Sequence, residues 1–351
     1  MSQQRAAAYL RHGQTPFFRL PTAAFQESGA AAYAGADAVI LGVPWDGSVT
    51  YRPGTRFAPY ELRRVSALVQ SYHPGHRVDV FRTLTVLDGG NVPFPPFHAD
   101  SVREQVQASV DEVLSAGAIP FVVGGDHSVA LPVLRALSRR HGPVAVVHVD
   151  AHLDTSTSEV WGEPFHHGTP FRNAIDEGLI GRGDLHQVGV RATWGHPEEG
   201  AFAAHAGATL YSMDRIDWDG APAVAAAIKA AVGEAPVYVS FDIDGIDPAY
   251  APGTGTPVPG GLTAREAIQL LRGLAGINLV GMDLVEVCPA LDHADITLHL
   301  GAHLLFEGLA LAAMKKGNLS VRQSVRQSVH QSAQGQGGQN ASQSALSARP
   351  T

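Results

Sequence analysis

The sequence predicts a single α/β domain built on a mostly parallel, doubly wound sheet with helices on both faces. Short apolar, β-branched runs alternate with Ala- and Leu-rich stretches of helical periodicity, and this rhythm holds from residue 36 to residue 316. Buried parallel strands read as continuous apolar runs, and strands that alternate with helices form βαβ units. Because no linker-like break interrupts the rhythm, we expect one domain over residues 36–316.

The individual elements can be assigned in chain order. The strand candidates are Asp37–Val43, Thr83–Asp88, Ile119–Val123, Val144–Val149, Leu185–Val190, Thr209–Ser212, Val237–Phe241 and Asn278–Leu284. Helical periodicity is found in Asp100–Ala116, Ser128–His141, Ala221–Val232 and Ala264–Gly273. Several strand candidates end in Gly-rich or acidic clusters. Ligand sites of open α/β sheets lie at the carboxyl ends of strands, so we expect these clusters to meet at one edge.

The two ends of the chain differ from this pattern. We expect residues 1–35 to form an N-terminal segment that packs on the domain. From Gly317 onward the chain carries a four-residue near-repeat, seen at Ser320, Ser324 and Ser328, and then a Gln/Gly/Ser/Ala-rich stretch. This tail has few large apolar residues to bury, so we expect residues 317–351 to be disordered.

Charge and cysteine content narrow the class of protein. The formal charge is −8, with 33 Asp and Glu against 25 Lys and Arg. Nucleic-acid surfaces need clustered basic residues, whereas an acidic protein favours a small cationic ligand. Cys288 is the only cysteine, which excludes an intramolecular disulfide and favours a reducing compartment. We see no signal peptide and no apolar run near the ~18 residues that span a bilayer. We expect a soluble cytoplasmic protein without nucleic-acid or membrane partners.

One acidic cluster follows a strand candidate directly. Asp150, His152 and Asp154 come immediately after the apolar run Val144–Val149. Side chains of an extended segment alternate between faces, so these three point the same way. A solvated face is a poor explanation, because the preceding run reads as buried and unpaired buried carboxylates are costly. We interpret the three residues as cation ligands.

Two further clusters follow other strand candidates. Asp242 and Asp244 share one face after the run Val237–Phe241. His127 follows a Gly-rich turn, where a histidine taken alone is more often a capping or packing residue. A D-x-D start is also typical of an EF-hand, but that loop needs Glu at position 12, where this chain has Gly253. The EF-hand interpretation therefore fails.

Taken together, the clusters predict two metal ions. The six candidate ligands are His127, Asp150, His152, Asp154, Asp242 and Asp244. A single catalytic zinc needs only three protein ligands, so six with this excess of carboxylates predict two divalent ions about 3.5–4 Å apart. Mixed carboxylate and imidazole ligands suit Mn²⁺, which we expect first, and Ni²⁺ or Co²⁺ would be accepted by the same donors.

These clusters, in this order and spacing, resemble those of the ureohydrolase family, which includes arginase, agmatinase, guanidinobutyrase and proclavaminate amidinohydrolase. The resemblance runs from Gly42 to Glu307 and implies an arginase-like three-layer αβα fold. It takes in Gly42-Val-Pro-Trp-Asp-Gly with Tyr51-Arg-Pro-Gly-Thr-Arg-Phe-Ala-Pro, His167-Gly-Thr-Pro-Phe, Ala251-Pro-Gly-Thr-Gly-Thr-Pro and Gly281-Met-Asp-Leu-Val-Glu-Val. The N-terminal motif and the motif at His167 favour the agmatinase-like branch.

The resemblance also implies a role for each site residue. One ion would be held by His127, Asp150, Asp154 and Asp242, and the other by Asp150, His152, Asp242 and Asp244. A hydroxide held by the two ions would attack the guanidinium carbon, oriented by Asp154. His167 would carry a proton to the departing amine, and Glu286 would pair with the guanidinium NH groups. Within the segment Thr155–Phe165, Trp161 and Glu163 are candidates for contacting the substrate tail.

The function that follows is hydrolysis of a small guanidino compound, such as agmatine or guanidinobutyrate, to urea and an amine. Free guanidine or a biguanide, with nickel, is an alternative substrate within the same chemistry. A metallophosphoesterase would need an Asn-His pair among its ligands, and that dipeptide is absent from the sequence. A non-catalytic or partner-dependent subunit of a mixed oligomer is the alternative from another class. The family resemblance leads us to expect a homotrimer or homohexamer.

Overall fold

The computed structural model describes residues 15–23, 29–95 and 97–317, and a parallel eight-stranded sheet forms its centre. The strands are β1 Ala38–Gly42, β2 Tyr72–His73, β3 Val78–Asp79, β4 Val86–Asn91, β5 Ile119–Val123, β6 Val144–Val149, β7 Ile180–Val188, β8 Thr209–Tyr211, β9 Pro236–Asp242 and β10 Asn278–Val285. The sheet order is β4-β1-β5-β10-β9-β6-β7-β8, and all neighbouring strands pair in parallel. Strands β2 and β3 form a separate antiparallel pair.

The helices fill the connections between strands. They are α1 Ala58–Ser66, α2 Val80–Thr83, α3 Ala99–Ser115, α4 Ala130–His141, α5 Ser158–Trp161, α6 Pro170–Asp176, α7 Glu198–His205, α8 Met213–Asp219, α9 Ala221–Val232, α10 Ala264–Gly273 and α11 Ile296–Gly317. Short 3₁₀ turns occur at Phe17–Arg19, Gly29–Tyr33, Thr55–Phe57, His127–Val129, Ile243–Gly245 and Pro289–Leu291.

The sheet separates two hydrophobic cores, because alternate residues of each strand face opposite sides. In β1, Val39 and Leu41 belong to one core, whereas Ala38 and Ile40 belong to the other. The first core includes side chains of α3, α4 and α6, and the second includes side chains of α1, α9, α10 and α11. This confirms the predicted three-layer arrangement with helices on both faces.

The eight strands of the sheet correspond to the eight predicted runs, with small differences at their ends. β7 begins at Ile180 instead of Leu185. The pair of β2 and β3 was not predicted, because two-residue strands are too short to show an alternating pattern. The four predicted helices correspond to α3, α4, α9 and α10, and a 3₁₀ turn at His127–Val129 precedes α4.

Helix α11 departs from the expectation that no apolar run approaches membrane-spanning length. By length and composition it is long and apolar enough to cross a bilayer, with a mean hydropathy of 1.4. However, 78% of that apolar window is buried inside the molecule, where it packs in one of the two cores. Core helices of globular proteins pass the same test, so α11 is weak evidence for a membrane span.

The described part of the N-terminal segment contacts the domain at several points, among them Ser66, Val69 and Asp88. Phe17 and Phe18 are fully buried, and the Phe17 amide donates to Asp88 Oδ2 at 2.9 Å. Thr22 forms an isolated parallel bridge with Asp88. Residues 1–14 and 24–28 lie outside the described residues. Disorder was expected for residues 317–351, of which the structure describes only Gly317, the last residue of α11.

Candidate metal centre and active site

The predicted clusters meet at the carboxyl edge of four consecutive strands. In the order of the sheet these are β5, β10, β9 and β6. His127 follows β5, Glu286 follows β10, Asp242 ends β9 and Asp150 follows β6. Crossovers between parallel strands bring these ends together, although His127 and Glu286 lie 159 positions apart in the chain.

His127 presents an unpaired ring nitrogen to three carboxylates. Its Nδ1 lies 3.1 Å from Asp150 Oδ2, 3.0 Å from Asp154 Oδ2 and 3.2 Å from Asp242 Oδ2. The ring is fully buried, and Nδ1 has no hydrogen-bond partner among the described residues. A buried polar atom without a partner is costly, and one nitrogen facing three oxygens is the donor set of a divalent cation. The residues therefore fit a metal ion at this point.

The opposite nitrogen of His127 is fixed by a chain of buried hydrogen bonds. Its Nε2 lies 2.9 Å from Ser240 Oγ, which donates to Asp283 Oδ1 at 2.9 Å. Tyr238 OH donates to the other oxygen of Asp283. Since the Ser240 proton goes to Asp283, Ser240 accepts from Nε2–H, and the lone pair of His127 stays on Nδ1. Burial raises the pKa of Asp283 above its usual value. His127 and the hydrogen bonds from Tyr238 and Ser240 offset only part of this rise.

Ser240 and Asp283 were not among the residues predicted from the sequence. A signal was present, since both are polar residues inside strands that are otherwise almost wholly apolar. Tyr238, Ser240 and Asp242 also share one face of β9, because alternate residues point the same way. The pairing of Ser240 with Asp283 follows from the register of β9 and β10 and could not be read from the sequence.

A second group of ligand atoms surrounds His152. Its Nδ1 lies 3.1 Å from Asp244 Oδ2 and 3.3 Å from Asp150 Oδ1. Asp244 is held by the Ala151 amide at 3.0 Å and by Thr256 Oγ1 at 3.2 Å. Asp150 therefore directs one oxygen toward His127 and the other toward His152, which is the arrangement expected of a bridging carboxylate.

The carboxylates of this cluster repel one another. Burial raises the pKa of Asp242 well above its usual range, and the neighbouring Asp244 and Asp150 raise it further. Burial likewise raises the pKa of Asp244, with Asp150 adding to the effect. Such a concentration of buried negative charge is stable only beside positive charge, and divalent cations supply it.

His148 belongs to the same cluster but was not among the predicted residues. It lies on the face of β6 that leads to Asp150, and its Nε2 is 2.7 Å from Asp150 Oδ2. Gln187 Nε2 lies 3.2 Å from His148 Nδ1 and donates to the Leu153 carbonyl at 2.7 Å. With Gln187 donating to Nδ1, the His148 proton sits on Nε2 and is donated to Asp150. His148 therefore orients a candidate ligand.

His167 and Glu286 form a second polar pair at the same edge. His167 Nδ1 lies 2.9 Å from Glu286 Oε1, which also accepts from the His127 amide at 2.9 Å. The Thr50 amide donates to His167 Nε2 at 3.1 Å, so the neutral ring keeps its proton on Nδ1. Burial lowers the pKa of His167, but Glu286, Asp154 and Asp126 outweigh it and raise the pKa to about 9.

Two of the predicted residues have a strained backbone. Asp154 has a φ of +50° and Glu286 a φ of +61°, both in the left-handed region that residues with a side chain rarely adopt. Such strain is commonly found where a side chain must be aimed at a reacting group. Asp126, by contrast, holds the loop: it accepts from the Ser48 amide at 2.9 Å and the Ser128 amide at 3.1 Å.

Comparison with known proteins is consistent with this geometry. The sequence matches the Arginase family over residues 36–310. The chain belongs to the arginase family. It is 43% identical to guanidinopropionase of Pseudomonas aeruginosa, over 78% of this chain and 86% of that protein. It is 40% identical to the mitochondrial agmatinase of Gallus gallus, over 79% of this chain and 81% of that protein.

A solved structure supports the same assignment. Proclavaminate amidinohydrolase of Streptomyces clavuligerus superposes with a TM-score of 0.80 at 38% identity, covering 86% of this chain and 97% of that one. These findings confirm the ureohydrolase resemblance and the arginase fold that it implies. Membership of the arginase family implies a site for two divalent metal ions, and the His and Asp cluster described above could hold them.

A cavity of about 260 Å³ lies beside the candidate metal ligands. Its lining includes the candidate site residues His152, Asp154, His167, Asp242 and Asp244. It also includes Trp161, Trp194, His166, Ser156 and Glu199. Of these five further residues, only Trp161 was among the predicted substrate contacts.

The other predicted contact, Glu163, lines a neighbouring cavity of about 810 Å³ and is absent from the lining of the smaller one. Its Oε1 accepts from the Phe165 amide at 3.1 Å. Trp161 lines both cavities, with 63% of its surface exposed.

Proposed function

We propose that this arginase-family chain hydrolyses a C–N bond of a small guanidino compound and releases urea and an amine, with two divalent cations as cofactors. The observation that carries the proposal is the buried Nδ1 of His127, which lacks a hydrogen bond and faces three carboxylate oxygens at 3.0–3.2 Å. The names of the relatives, among them agmatinase and guanidinobutyrase, support the same reaction.

The proposed ligands divide into two sets that share two residues. The first set is His127, Asp150, Asp154 and Asp242, and the second is Asp150, His152, Asp242 and Asp244. Asp150 and Asp242 are the proposed bridges, which agrees with the two oxygens of Asp150 facing different histidines. Two bound divalent cations would lower the pKa of water and so supply a nucleophile at neutral pH.

The remaining polar residues would act on the substrate. Glu286 would accept from the guanidinium NH groups, since a planar guanidinium pairs well with a carboxylate. One oxygen of Glu286 is engaged by His127 and His167, and the other accepts no hydrogen bond from the described residues. Asp154 would accept a hydrogen bond from the attacking hydroxide and so orient it toward the guanidinium carbon.

His167 would deliver a proton to the departing amine. Because Glu286 raises the pKa of His167 to about 9, the ring is mostly protonated at neutral pH and holds the proton that it would donate. Thr50 would hold the ring in place through its contact with Nε2, where Oγ1 lies 2.8 Å away. The protonated ring can then donate from Nε2 while Nδ1–H stays on Glu286.

Three finer features complete the proposal. The cations would be Mn²⁺ in the first instance, because the six donors are carboxylate oxygens and imidazole nitrogens, with Ni²⁺ or Co²⁺ as the alternatives. The protein would work in the cytoplasm, in keeping with its single cysteine. It would assemble as a homotrimer or homohexamer.

The test is urea release by the purified chain, loaded separately with Mn²⁺ and with Ni²⁺. The substrates would be agmatine, 4-guanidinobutyrate, 3-guanidinopropionate, arginine, guanidine and a biguanide, with the free amine measured beside urea. We expect metal-dependent turnover that Asp150→Ala abolishes. Absence of bound metal together with absence of turnover would refute the proposal. Two bound ions without turnover would indicate another substrate or a missing partner subunit.

A further inference from the structure

The guanidinium group of Arg191 lies among backbone carbonyl groups in the connection after β7, and the proposed chemistry does not use it. Its Nη2 donates to Asp244 O at 2.8 Å and to Val258 O at 2.6 Å. Its Nη1 donates to Gly189 O and Gly245 O, each at 3.1 Å, and its Nε donates to Val258 O at 3.2 Å. Every nitrogen of the group therefore binds the backbone, and one of the residues bound is the candidate ligand Asp244.

No carboxylate of the described residues forms an ion pair with Arg191, which carbonyl groups hold instead. Other arginines of the chain do pair with carboxylates, as Arg135 does with Glu177 at 2.6 Å. Burial lowers the pKa of Arg191, and attraction from Asp244 and Asp150 offsets part of this effect. Arginine keeps its proton in proteins, so a full positive charge lies near the acidic cluster without pairing with any member of it.

The backbone of Arg191 contacts a second segment that carries candidate ligands. Its amide donates to the Ala151 carbonyl at 2.9 Å. Ala151 lies between Asp150 and His152, and its own amide donates to Asp244 Oδ1 at 3.0 Å. Arg191 therefore joins the segment after β6 to the segment after β9, through its backbone on one side and its side chain on the other. Both segments belong to the second of the two proposed ligand sets.

The surroundings of Arg191 leave this role as its route to the reaction. Arg191 does not line the cavity of about 260 Å³, although its neighbours Ala192 and Thr193 do. A direct contact with a substrate in that cavity is therefore excluded. The guanidinium is closely packed, since a Cβ on Gly261 would lie 2.6 Å from Arg191 Cζ.

Two effects of Arg191 on a bound cation oppose each other. Its charge repels a cation, whereas its N–H donors keep the carbonyl groups around Asp244 in place. The negative ends of these carbonyl dipoles converge on the guanidinium and offset much of its charge. Without the arginine, several partly buried carbonyl groups would lose their donors, and the segment that carries Asp244 would move to restore them. We therefore expect the positioning effect to exceed the repulsion.

We propose that Arg191 is a positioning residue for the second metal ion. By tying segment 244–246 to segment 150–152, it sets the affinity of the chain for that ion and leaves the first ion, at His127 and Asp154, nearly unaffected. The inference rests on the two-ion site proposed above, and it names the residue that holds the second half of that site together.

Binding of Mn²⁺ alone to the chelator-treated full chain tests the inference, with calorimetry as the measurement. Arg191→Gln is expected to bind the second ion roughly 10- to 100-fold more weakly than wild type and the first ion within about twofold. Arg191→Lys keeps the charge and three N–H donors but not the planar fork, so its loss should be intermediate. Arg139→Gln removes an exposed arginine of α4 that pairs with Asp111, and as the control it should bind both ions like wild type.

Electron paramagnetic resonance gives an independent signature. Two Mn²⁺ ions that share carboxylate bridges are magnetically coupled, whereas a single ion is not. At a Mn²⁺ concentration that saturates wild type, Arg191→Gln should show the spectrum of an isolated ion and wild type that of a coupled pair. Raising the Mn²⁺ concentration should restore the coupled spectrum in the variant, which a general loss of structure would not allow.

The outcomes separate this inference from the function on which it rests. Tighter or unchanged binding of the second ion in Arg191→Gln would overturn the role of Arg191, and so would equal weakening of both ions. If Arg191→Gln does not fold, Arg191→Lys decides, and wild-type affinity for the second ion in that variant would overturn the inference. A wild-type chain that binds no Mn²⁺ would overturn the two-ion site as well. Selective loss of the second ion would support the inference whether or not any guanidino compound is hydrolysed.

Discussion

At the scale of single residues, the site depends on side chains that do not touch the cations. Ser240 accepts from His127 and donates to Asp283, and so sets which nitrogen of His127 is free. We predict that Ser240→Ala weakens metal affinity about 10- to 100-fold, because a ligand loses its orienting partner. Metal titration followed by calorimetry would measure the change. Ser115→Ala, at the exposed end of α3, is the control, and equal affinities in the two variants would contradict the prediction.

A second residue-scale prediction concerns His167 in the metal-free chain. Its pKa in the folded protein is about 9, above the usual 6.5. Protonated His167 therefore contributes its full stabilisation to the folded state below pH 6.5, and this contribution is lost as the pH rises through 9. The stabilisation is at most about 3 kcal/mol. Urea unfolding with chelator at pH 6, 8 and 10 should show this loss in wild type. In His167→Gln this pH-dependent loss of stability should be absent. If the free energy of unfolding changes with pH in the same way in both proteins, the prediction is wrong.

At the scale of elements, the Gly-rich turn after β5 depends on close backbone packing. A Cβ on Gly125 would lie 1.5 Å from the Trp45 carbonyl oxygen, and the same turn accepts from the Glu286 amide at 2.9 Å. We predict that Gly125→Ala lowers the free energy of unfolding by about 3 kcal/mol or more and reduces metal binding, since the turn carries His127. Gly317→Ala, where the added Cβ would meet no heavy atom within 4 Å, should be neutral. A stable, metal-binding Gly125→Ala would contradict this.

The strands and helices also show which parts of the structure could be predicted from the sequence. The strands of the sheet were predictable because each is a buried apolar run, and the ligands because they follow those runs at alternate positions. Helices α5, α6 and α8 have seven residues or fewer, too short for a helical period to be visible. Glu199 and Trp194 could not be assigned to the site because the distance between the connection after β7 and Ser156 depends on tertiary packing.

At the scale of the whole molecule, the metal centre connects three strands of the central sheet, β5, β6 and β9. Asp150, Asp242 and Asp244 raise one another's electrostatic energy when no cation is bound. We predict that chelation lowers the melting temperature and that Mn²⁺ restores it in a concentration-dependent manner. Binding at a hundredfold excess over Kd adds about 2.7 kcal/mol per site. Thermal unfolding would measure this, and Asp242→Asn is the variant that should lose most of the response. A melting temperature unaffected by chelation would argue against the metal centre.

The position of the cluster on the four central strands has a consequence for how this enzyme could change over time. The groups proposed for chemistry follow β5, β6, β9 and β10, in the most buried part of the sheet. The residues predicted to contact the substrate tail, Trp161 and Glu163, lie on the connection between β6 and β7. Exchanging a few residues of one surface connection would change which chemical group is bound at the far end of the substrate, without disturbing the hydrolysis. Diversification of substrates is therefore accessible through short loop segments, while the catalytic edge stays fixed.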